Sequence, residues 1–341
     1  MSAIDVGTLL QEISPDAPTG SDLKHDPTFR DLELAATGKP EQRMGPSVIP
    51  AKEPDWPDVK DRAVALLRRT KDLRVAVQLT RSLLRTDGAP GLSQGIALIA
   101  GMLERYWDTV YPQLDPEDGN DPTFRLNALA NLGGFDGMVR ALRETKLVTS
   151  RVLGSFSLRD IEIANGTIPR PEDAEGELPD QTTISAAFTE ADAAGLKATD
   201  DGILSALEGI AKIINIVDDK VGTAGSLDLN RLISTLKSID TVLSEELSKR
   251  GSTGSGDGAA ASVGAGRSAG ISGEVSSRDD VIRLLDKACE YFKRHEPSSP
   301  VPLLLVRAKR LVSKDFLEIM KDMAPGGVSE VKSIGGIEDE E

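Results

Sequence analysis

Histidine and cysteine, the side chains most often used for acid–base catalysis and transition-metal binding, are scarce in this 341-residue sequence. There are two histidines, His25 and His295, and a segment rich in Gly, Ser and Ala separates them along the chain. The single cysteine, Cys289, adjoins the apolar pattern of Ala288 and Phe292, which favours a buried and unreactive thiol. The sequence therefore predicts no metal site, no cofactor and no catalytic role for these residues.

Other patterns that could carry chemistry are incomplete. No GxxxxGK[ST] phosphate-binding loop occurs, and the SxxK match at 234–237 lies in a helical pattern without companion motifs. The acids between Asp115 and Asp121 lack the spacing of an EF-hand loop, so capping and a turn explain them better than calcium. We therefore predict a protein that is not an enzyme. The alternative is a weak hydrolase that uses acids such as Asp72.

Composition excludes further classes of protein. The chain has 40 Lys and Arg against 55 Asp and Glu, and its net charge of -15 opposes binding to nucleic acid over a broad surface. A single cysteine rules out an intramolecular disulfide and suits a reducing compartment. There is neither a basic leader nor an apolar run long enough to span a bilayer. The expected location is the cytoplasm, without membrane insertion.

The elements that position the candidate residues are predicted to be helices. Apolar residues recur at helical spacing from Trp56 onwards, whereas the preceding segment looks mainly irregular. Pro57 suits the first turn of one helix, and residues 88–91 break two further helices apart. Asp121 and Ser157 are predicted to cap two shorter helices. The predicted fold class is all-α: mainly helical and built from several modules.

Two stretches in the middle of the chain carry apolar residues at alternating intervals of three and four. They run from Ile203 to Val221 and from Leu229 to Leu243. This spacing predicts two amphipathic helices that form a hairpin. Packing within the chain is the simpler interpretation, and a seam between subunits is the alternative.

Changes in composition divide the chain into segments. These are a helical amino-terminal domain at 1–168, a helical hairpin at 180–249, a flexible Gly/Ser/Ala linker at 250–277, a carboxy-terminal module at 278–337 and an acidic tail at 338–341. Charge follows the same division. The carboxy-terminal module holds 11 basic and 9 acidic residues, whereas residues 1–277 hold 29 and 42.

Short motifs in a fixed order occupy the first part of the chain. They are Ser14-Pro-Asp16, Gly20-Ser-Asp22-Leu23, Glu53-Pro-Asp-Trp56, Lys71-Asp72-Leu-Arg74, Tyr106-Trp107-Asp-Thr-Val-Tyr-Pro112 and Asp121-Pro-Thr-Phe-Arg125. In order and spacing they resemble the ImpA amino-terminal family, the TssA proteins of bacterial type VI secretion systems. The stretch 296–312 is similar to the carboxy-terminal module of the short members of that family, which itself resembles a phage baseplate wedge component.

This resemblance implies a structural, non-enzymatic assembly factor without a cofactor. It would be a ring-forming, baseplate-associated component that coordinates the recruitment of baseplate, inner tube and contractile sheath. Its partners would be further copies of itself, baseplate subunits, the inner tube protein, sheath proteins and the membrane complex, at the secretion apparatus on the inner membrane. The alternatives are a distal cap that stays with the growing end of the sheath, and a helical adaptor in an unrelated pathway.

One group of candidate residues lies in the carboxy-terminal module. A corner fixed by prolines presents neighbouring side chains at little ordering cost, so we expect Pro300, Pro302, Leu304 and Arg307 near an oligomer surface. The alternative is that the leucines belong to the core of the module.

The second group carries the family pattern and is expected to be mainly structural. Its members are Asp22, Trp56, Lys71, Asp72, Arg74, Trp107, Asp121 and Arg125. We predict that the tryptophans are buried and that Arg74 or Arg125 pairs with an acid such as Asp72 or Asp108. Contact with a partner protein is the alternative.

Overall fold

The computed structural model describes residues 4–39, 42–44, 47–170, 179–222, 227–253, 282, 285–286, 288–289 and 301–311. The chain falls into two units, Met1–Asp257 and Gly258–Glu341. Helices predominate among the described residues, as predicted. In the first unit they are α1 (Val6–Leu9), α2 (Pro27–Thr37), α3 (Trp56–Leu67), α4 (Leu73–Tyr106), α5 (Thr123–Ala130), α6 (Arg140–Glu144), α7 (Leu158–Ala164), α8 (Gln181–Glu190), α9 (Ala193–Val221) and α10 (Asn230–Thr253). In the second unit, α11 spans Val301–Leu311.

Two antiparallel hairpins of strands accompany the helices. β1 (Gln42–Met44) pairs with β2 (Ser47–Ile49), and β3 (Lys146–Ser150) pairs with β4 (Gly154–Ser157). The all-α prediction therefore describes most of this fold but missed these strands. Each is too short for a two-residue apolar alternation to stand out in the sequence.

The segment before Trp56 is more regular than predicted. α2 begins after Asp26, whose carboxylate accepts a hydrogen bond from the backbone N–H of Thr28, and Pro27 lies in the first turn. The same pair of signals, an acidic cap and an early proline, occurs at Asp55 and Pro57 of α3. The sequence interpretation did not apply this signal to the segment before Trp56.

The predicted break within residues 88–91 is confirmed, because α4 consists of two arms that meet at Gly88. Its φ of +68° is a conformation that favours glycine. Gly95 of the second arm faces Thr80 of the first so closely that a Cβ on Gly95 would lie 2.5 Å from Thr80 Oγ1. The two arms therefore lie side by side. Nearly all of their apolar residues are buried, and they form the centre of the core.

α9 packs against α4 as well as against α10. The apolar stripe predicted for α10 is fully buried, from Leu229 to Leu243. On α9 the buried face is shifted from the prediction: Ala206 and Ile213 are buried completely, whereas Leu207 is only partly covered. Contact with α4 covers a second side of the helix and accounts for this shift. The stripe of α10 and the shifted face of α9 are thus covered within the chain.

The predicted segments 1–168 and 180–249 contribute to the same hydrophobic core, and their boundaries stay a prediction. α10 continues to Thr253, so the first residues of the predicted linker are helical. The remainder of the linker and the acidic tail lie outside the described residues. In the second unit, α11 begins at Val301.

Candidate functional site

The family motif at 71–74 lies at the beginning of α4. Asp72 is the N-cap, and its fully buried carboxylate accepts a hydrogen bond from the backbone N–H of Arg74 (2.8 Å). The Arg74 guanidinium donates to the same carboxylate through Nε (3.1 Å) and Nη2 (2.6 Å). Burial alone would lower the pKa of Arg74, but hydrogen bonding and attraction to Asp72 raise it. The predicted pairing of Arg74 with Asp72 is confirmed.

Lys71 is buried beside this ion pair and uses backbone oxygens as partners. Its Nζ donates to the carbonyl of Leu9 (2.7 Å) and to that of Leu67 (3.3 Å). Burial lowers the pKa of this amine from 10.5 to about 8. Lys71 therefore ties the first helix to the end of α3, and no carboxylate among the described residues forms a salt bridge with it.

Arg125 is also fully buried, and its partners differ from the prediction of an acidic one. The guanidinium donates to the carbonyl oxygens of Trp107 (2.6 Å), Val110 (2.8 Å) and Pro112 (3.0 and 3.1 Å). It also stacks 4.8 Å from the centre of the Trp107 ring. Burial lowers its pKa to about 10, although attraction to Asp108 acts in the opposite direction and raises the pKa. The turn after α4 supplies these carbonyls because its backbone is not helical there.

Backbone hydrogen bonds join the motif at 71–74 to the motif at 106–112 and to Thr19, the residue before the motif at 20–23. The N–H of Lys71 donates to the carbonyl of Thr19, and the N–H of Tyr111 donates to the carbonyl of Lys71. The N–H of Leu73 in turn donates to the carbonyl of Tyr111. The family residues at 71–74, 107 and 125 thus hold one structural junction, which we call the motif junction.

The family residues Trp56 and Asp121 also contact neighbouring side chains. Trp56 and Trp107 are buried, as predicted, and the guanidiniums of Arg81 and Arg85 lie over the Trp56 ring at 4.9 and 5.9 Å. The prediction that Asp121 caps α5 is off by one residue, because Pro122 is the N-cap. The Asp121 carboxylate nevertheless accepts hydrogen bonds from the backbone N–H (3.4 Å) and the hydroxyl (3.0 Å) of Thr123, in the first turn of α5.

A surface groove opens next to the motif junction. It has a volume of about 480 Å³, and Asp22, Arg74 and Phe124 are among its lining residues. Asp22 lies 3.6 Å from Arg74, so two family residues reach the surface here. Phe124, which belongs to the motif 121–125, is 64% exposed. An exposed aromatic ring beside charged groups suits contact with a protein.

The sequence interpretation quoted Phe124 in the motif but missed its exposure, because helical spacing alone does not show which faces are covered.

Three of the four candidates in the second unit, Pro302, Leu304 and Arg307, lie on α11. Leu304 is 66% exposed, Arg307 is exposed, and Pro302 is partly buried. The Sγ atom of Cys289 lies 3.9 Å from the carbonyl oxygen of Pro302, and this cysteine is buried as predicted. Pro300 lies outside the described residues.

Reactive groups do not converge in the described part of the chain. No set of three or more His, Cys, Asp or Glu side chains there could hold a metal ion. His25 is exposed on the surface, and His295 lies outside the described residues. In the same part of the chain, no helix is both long and apolar enough to cross a membrane.

Comparison with known proteins agrees with the motif pattern. The profile of the family described as "ImpA, N-terminal, type VI secretion system" matches residues 10–134, which include every amino-terminal candidate residue. The protein described as "Type VI secretion system component TssA1" from Pseudomonas aeruginosa is 41% identical over 99% of this chain and 100% of its own length. The chain belongs to the TssA family. The resemblance inferred from the motifs is therefore confirmed.

A solved structure shows the same relationship for the amino-terminal part. It is the N-terminal domain, including the conserved ImpA_N region, of the TssA component from Burkholderia cenocepacia. The TM-score is 0.59 and the identity is 26%, over 74% of this chain and 96% of that chain. Family membership supports a structural role in the assembly of a type VI secretion system.

Proposed function

We propose that this protein is a non-enzymatic assembly factor of the type VI secretion system. It forms a ring, associates with the baseplate and coordinates the recruitment of baseplate, inner tube and contractile sheath. It acts in the cytoplasm, at the apparatus on the inner membrane. The observation that carries the proposal is the 41% identity to TssA1, which extends over nearly the whole of both chains.

The geometry of the motif junction supports a role without catalysis. Asp72, which a hydrolase would need as a base, is inaccessible and engaged by Arg74. The polar groups of Lys71 and Arg125 are occupied by backbone carbonyls. Each of these groups therefore stabilises the fold instead of presenting a reactive atom to a substrate.

The second unit supports self-association. α11 exposes Leu304 and Val306, and a neighbouring copy would remove this apolar surface from water. The segment 278–337 is nearly balanced in charge, so bringing copies together costs little electrostatic repulsion. The linker predicted before it would let several amino-terminal units act from one ring, so that weak contacts add up by avidity.

Light scattering tests the ring. We expect the full-length protein to form a large oligomer and a truncation after Asp257, which keeps α10 intact, to lose it. A strict monomer of the full-length protein at tens of micromolar would contradict the proposal.

Pull-down experiments test the partners. We expect the full-length protein to retain baseplate, tube and sheath subunits, and failure to retain any of them would argue against the proposed role.

Imaging of the labelled protein during sheath growth distinguishes a position at the baseplate from a position at the distal end of the sheath. A signal fixed at the membrane end indicates the baseplate, whereas a signal that moves with the growing end indicates a distal cap.

A further inference from the structure

Guanidinium groups cluster where the first arm of α4 meets α6 and α7. The cluster comprises Arg81, Arg85, Arg140, Arg143 and Arg159, and the carboxylates around it are Glu53, Asp136, Glu144 and Glu162. Arginines are therefore in excess here, although acidic residues outnumber basic ones across residues 1–277. A groove of about 430 Å³ opens on one part of the cluster, where Arg140, Arg143 and Arg159 line it together with Asp136 and Glu144. We call it the arginine groove.

One carboxylate serves three of these arginines. Glu144 lies 2.9 Å from Arg140 Nε, 3.1 Å from Arg85 Nη1 and 3.7 Å from Arg159 Nη1. Burial alone would raise the pKa of Glu144, but hydrogen bonding to Arg140 and attraction by Arg85 lower it. Glu144 thus stays ionised, yet its single negative charge cannot neutralise three guanidiniums. Arg143, which lines the groove together with Arg140 and Arg159, is bound by Glu162.

Two guanidinium groups on the groove keep donors for a further partner. Arg140 is 58% exposed and contacts Glu144 through Nε, whereas Arg159 is 45% exposed and contacts it only at 3.7 Å. Each guanidinium has five N–H donors, so most of those on Arg140 and Arg159 are not used by Glu144. Asp136 also lines the groove and attracts Arg140, without a salt bridge between them among the described residues.

Apolar side chains form the rest of the lining. Phe135 is half exposed, and Ile168 and Pro169 also line the groove. The groove therefore combines forked cationic donors with a hydrophobic surface. A carboxylate next to an apolar side chain complements both features.

We propose that the arginine groove binds an acidic segment of a partner protein. Arg140 and Arg159 hold a carboxylate of that segment, and Phe135 packs against a neighbouring apolar side chain. A short peptide fits better than a nucleic acid, because Phe135, Ile168 and Pro169 complement an apolar side chain and not a phosphate. A strand that extends beyond the groove would also meet the acidic surroundings. The proposal concerns the first unit alone and does not depend on ring formation.

Fluorescence anisotropy with full-length protein tests the proposal. The probe is a labelled peptide, Glu-Glu-Leu-Glu-Phe-Glu-Glu, and the comparison peptide has Gln in place of every Glu. We expect the acidic peptide to bind at low ionic strength and to weaken as salt is added. We expect the Gln peptide to bind at least about tenfold more weakly, since charge-assisted hydrogen bonds are lost.

Substitutions locate the binding. Arg140→Gln together with Arg159→Gln should weaken binding of the acidic peptide about tenfold or more, and the same pair changed to Lys should retain part of it. Arg62→Gln is the matched control, because Arg62 is comparably exposed and also forms an i,i+4 ion pair, with Asp58. It should leave binding within about twofold of wild type.

Four results would overturn the proposal. They are no binding of the acidic peptide at low salt, equal binding of the Gln peptide, wild-type binding by a folded double Gln variant, and displacement of the peptide by a thymidine oligonucleotide that binds more tightly. Circular dichroism shows whether the double variants are folded. Light scattering of the same variants should show an unchanged oligomer, which separates this proposal from that of the ring.

Discussion

Arg125 shows how a buried charge can be held without an opposite charge. Three carbonyl groups of the turn after α4 accept its hydrogen bonds, and the Trp107 ring lies against its face. Carbonyl oxygens carry only partial negative charge, which is why burial still lowers its pKa to about 10. The planar, forked guanidinium reaches all three carbonyls at once, which a single ammonium cannot do.

Replacement of Arg125 should therefore destabilise the protein strongly. We expect Arg125→Lys to lower the free energy of unfolding by about 2–4 kcal/mol, since buried carbonyls lose their donors. Urea denaturation followed by circular dichroism measures this. The exposed Arg62→Lys serves as control and should change the free energy of unfolding by less than about 0.5 kcal/mol. A similar, small effect for both variants would show that Arg125 is not a central structural residue.

Lys71 should make stability depend on pH. Its pKa is lowered in the folded protein from 10.5 to about 8, so between these values the unfolded chain binds more protons. The contribution of Lys71 to the free energy of unfolding therefore increases above pH 8. The increase is at most about 1.4 kcal/mol per pH unit. Burial raises the pKa of Tyr106 and Tyr111, which gives an opposite trend at higher pH.

The Lys71 contribution is measured as the difference between wild type and Lys71→Met. We expect this difference in the free energy of unfolding to shift in favour of wild type as pH increases from 8 to 10. The exposed Lys197→Met provides the control for general effects of pH. A difference that stays flat for Lys71→Met would contradict the lowered pKa.

At the scale of elements, close contacts between helices depend on glycines. The arms of α4 approach each other at Gly95, and α9 approaches the bend of α4 at Gly202. A Cβ on Gly202 would lie 2.7 Å from the carbonyl carbon of Ala89 and 2.8 Å from the nitrogen of Pro90. Since both are backbone atoms, the helices could accommodate it only by moving apart.

Gly202→Ala should consequently destabilise the protein by about 1–3 kcal/mol, despite the higher helix propensity of alanine. Gly195→Ala on the same helix is the matched control, because the nearest atom to its Cβ would be 3.5 Å away. That change should be neutral or stabilising, by up to about 1 kcal/mol. Thermal unfolding of both variants tests the prediction, and a stabilising Gly202→Ala would disprove the close approach.

At the scale of the whole molecule, the two units differ in charge and in exposed apolar surface. The acidic excess lies before residue 278, and the segment 278–337 is nearly neutral. We infer that the second unit associates with other copies, while the first stays available to other components of the apparatus. In this arrangement the acidic charge of the first unit discourages nonspecific association between neighbouring copies.

Leu304→Glu should therefore disrupt the proposed ring. Copies of a charged side chain brought together in an apolar contact repel one another and lose hydration, so we expect a much smaller species by light scattering. Leu34→Glu is the control, because Leu34 of α2 is exposed to a similar degree, 62% against 66%. The ring should survive this change. Disruption by Leu34→Glu alone would place the oligomer contact on the first unit.

The sequence by itself determined the mainly helical fold, the family and several local features. The break within residues 88–91 and the cap at Ser157 could be predicted because they depend on residues close together in sequence. The buried tryptophans could be predicted because large apolar side chains leave water. The pairing of Asp72 with Arg74 could also be predicted, because the two residues are close together in sequence.

Only the tertiary structure decided which partners the distant residues have. Arg125 binds carbonyls 13 to 18 residues away, and Lys71 reaches Leu9, 62 residues away. The rotated face of α9, the exposure of Phe124 and the sharing of Glu144 by three arginines likewise depend on how helices pack. Helical periodicity specifies one face of each helix, but the choice of neighbours depends on steric fit between elements far apart in sequence.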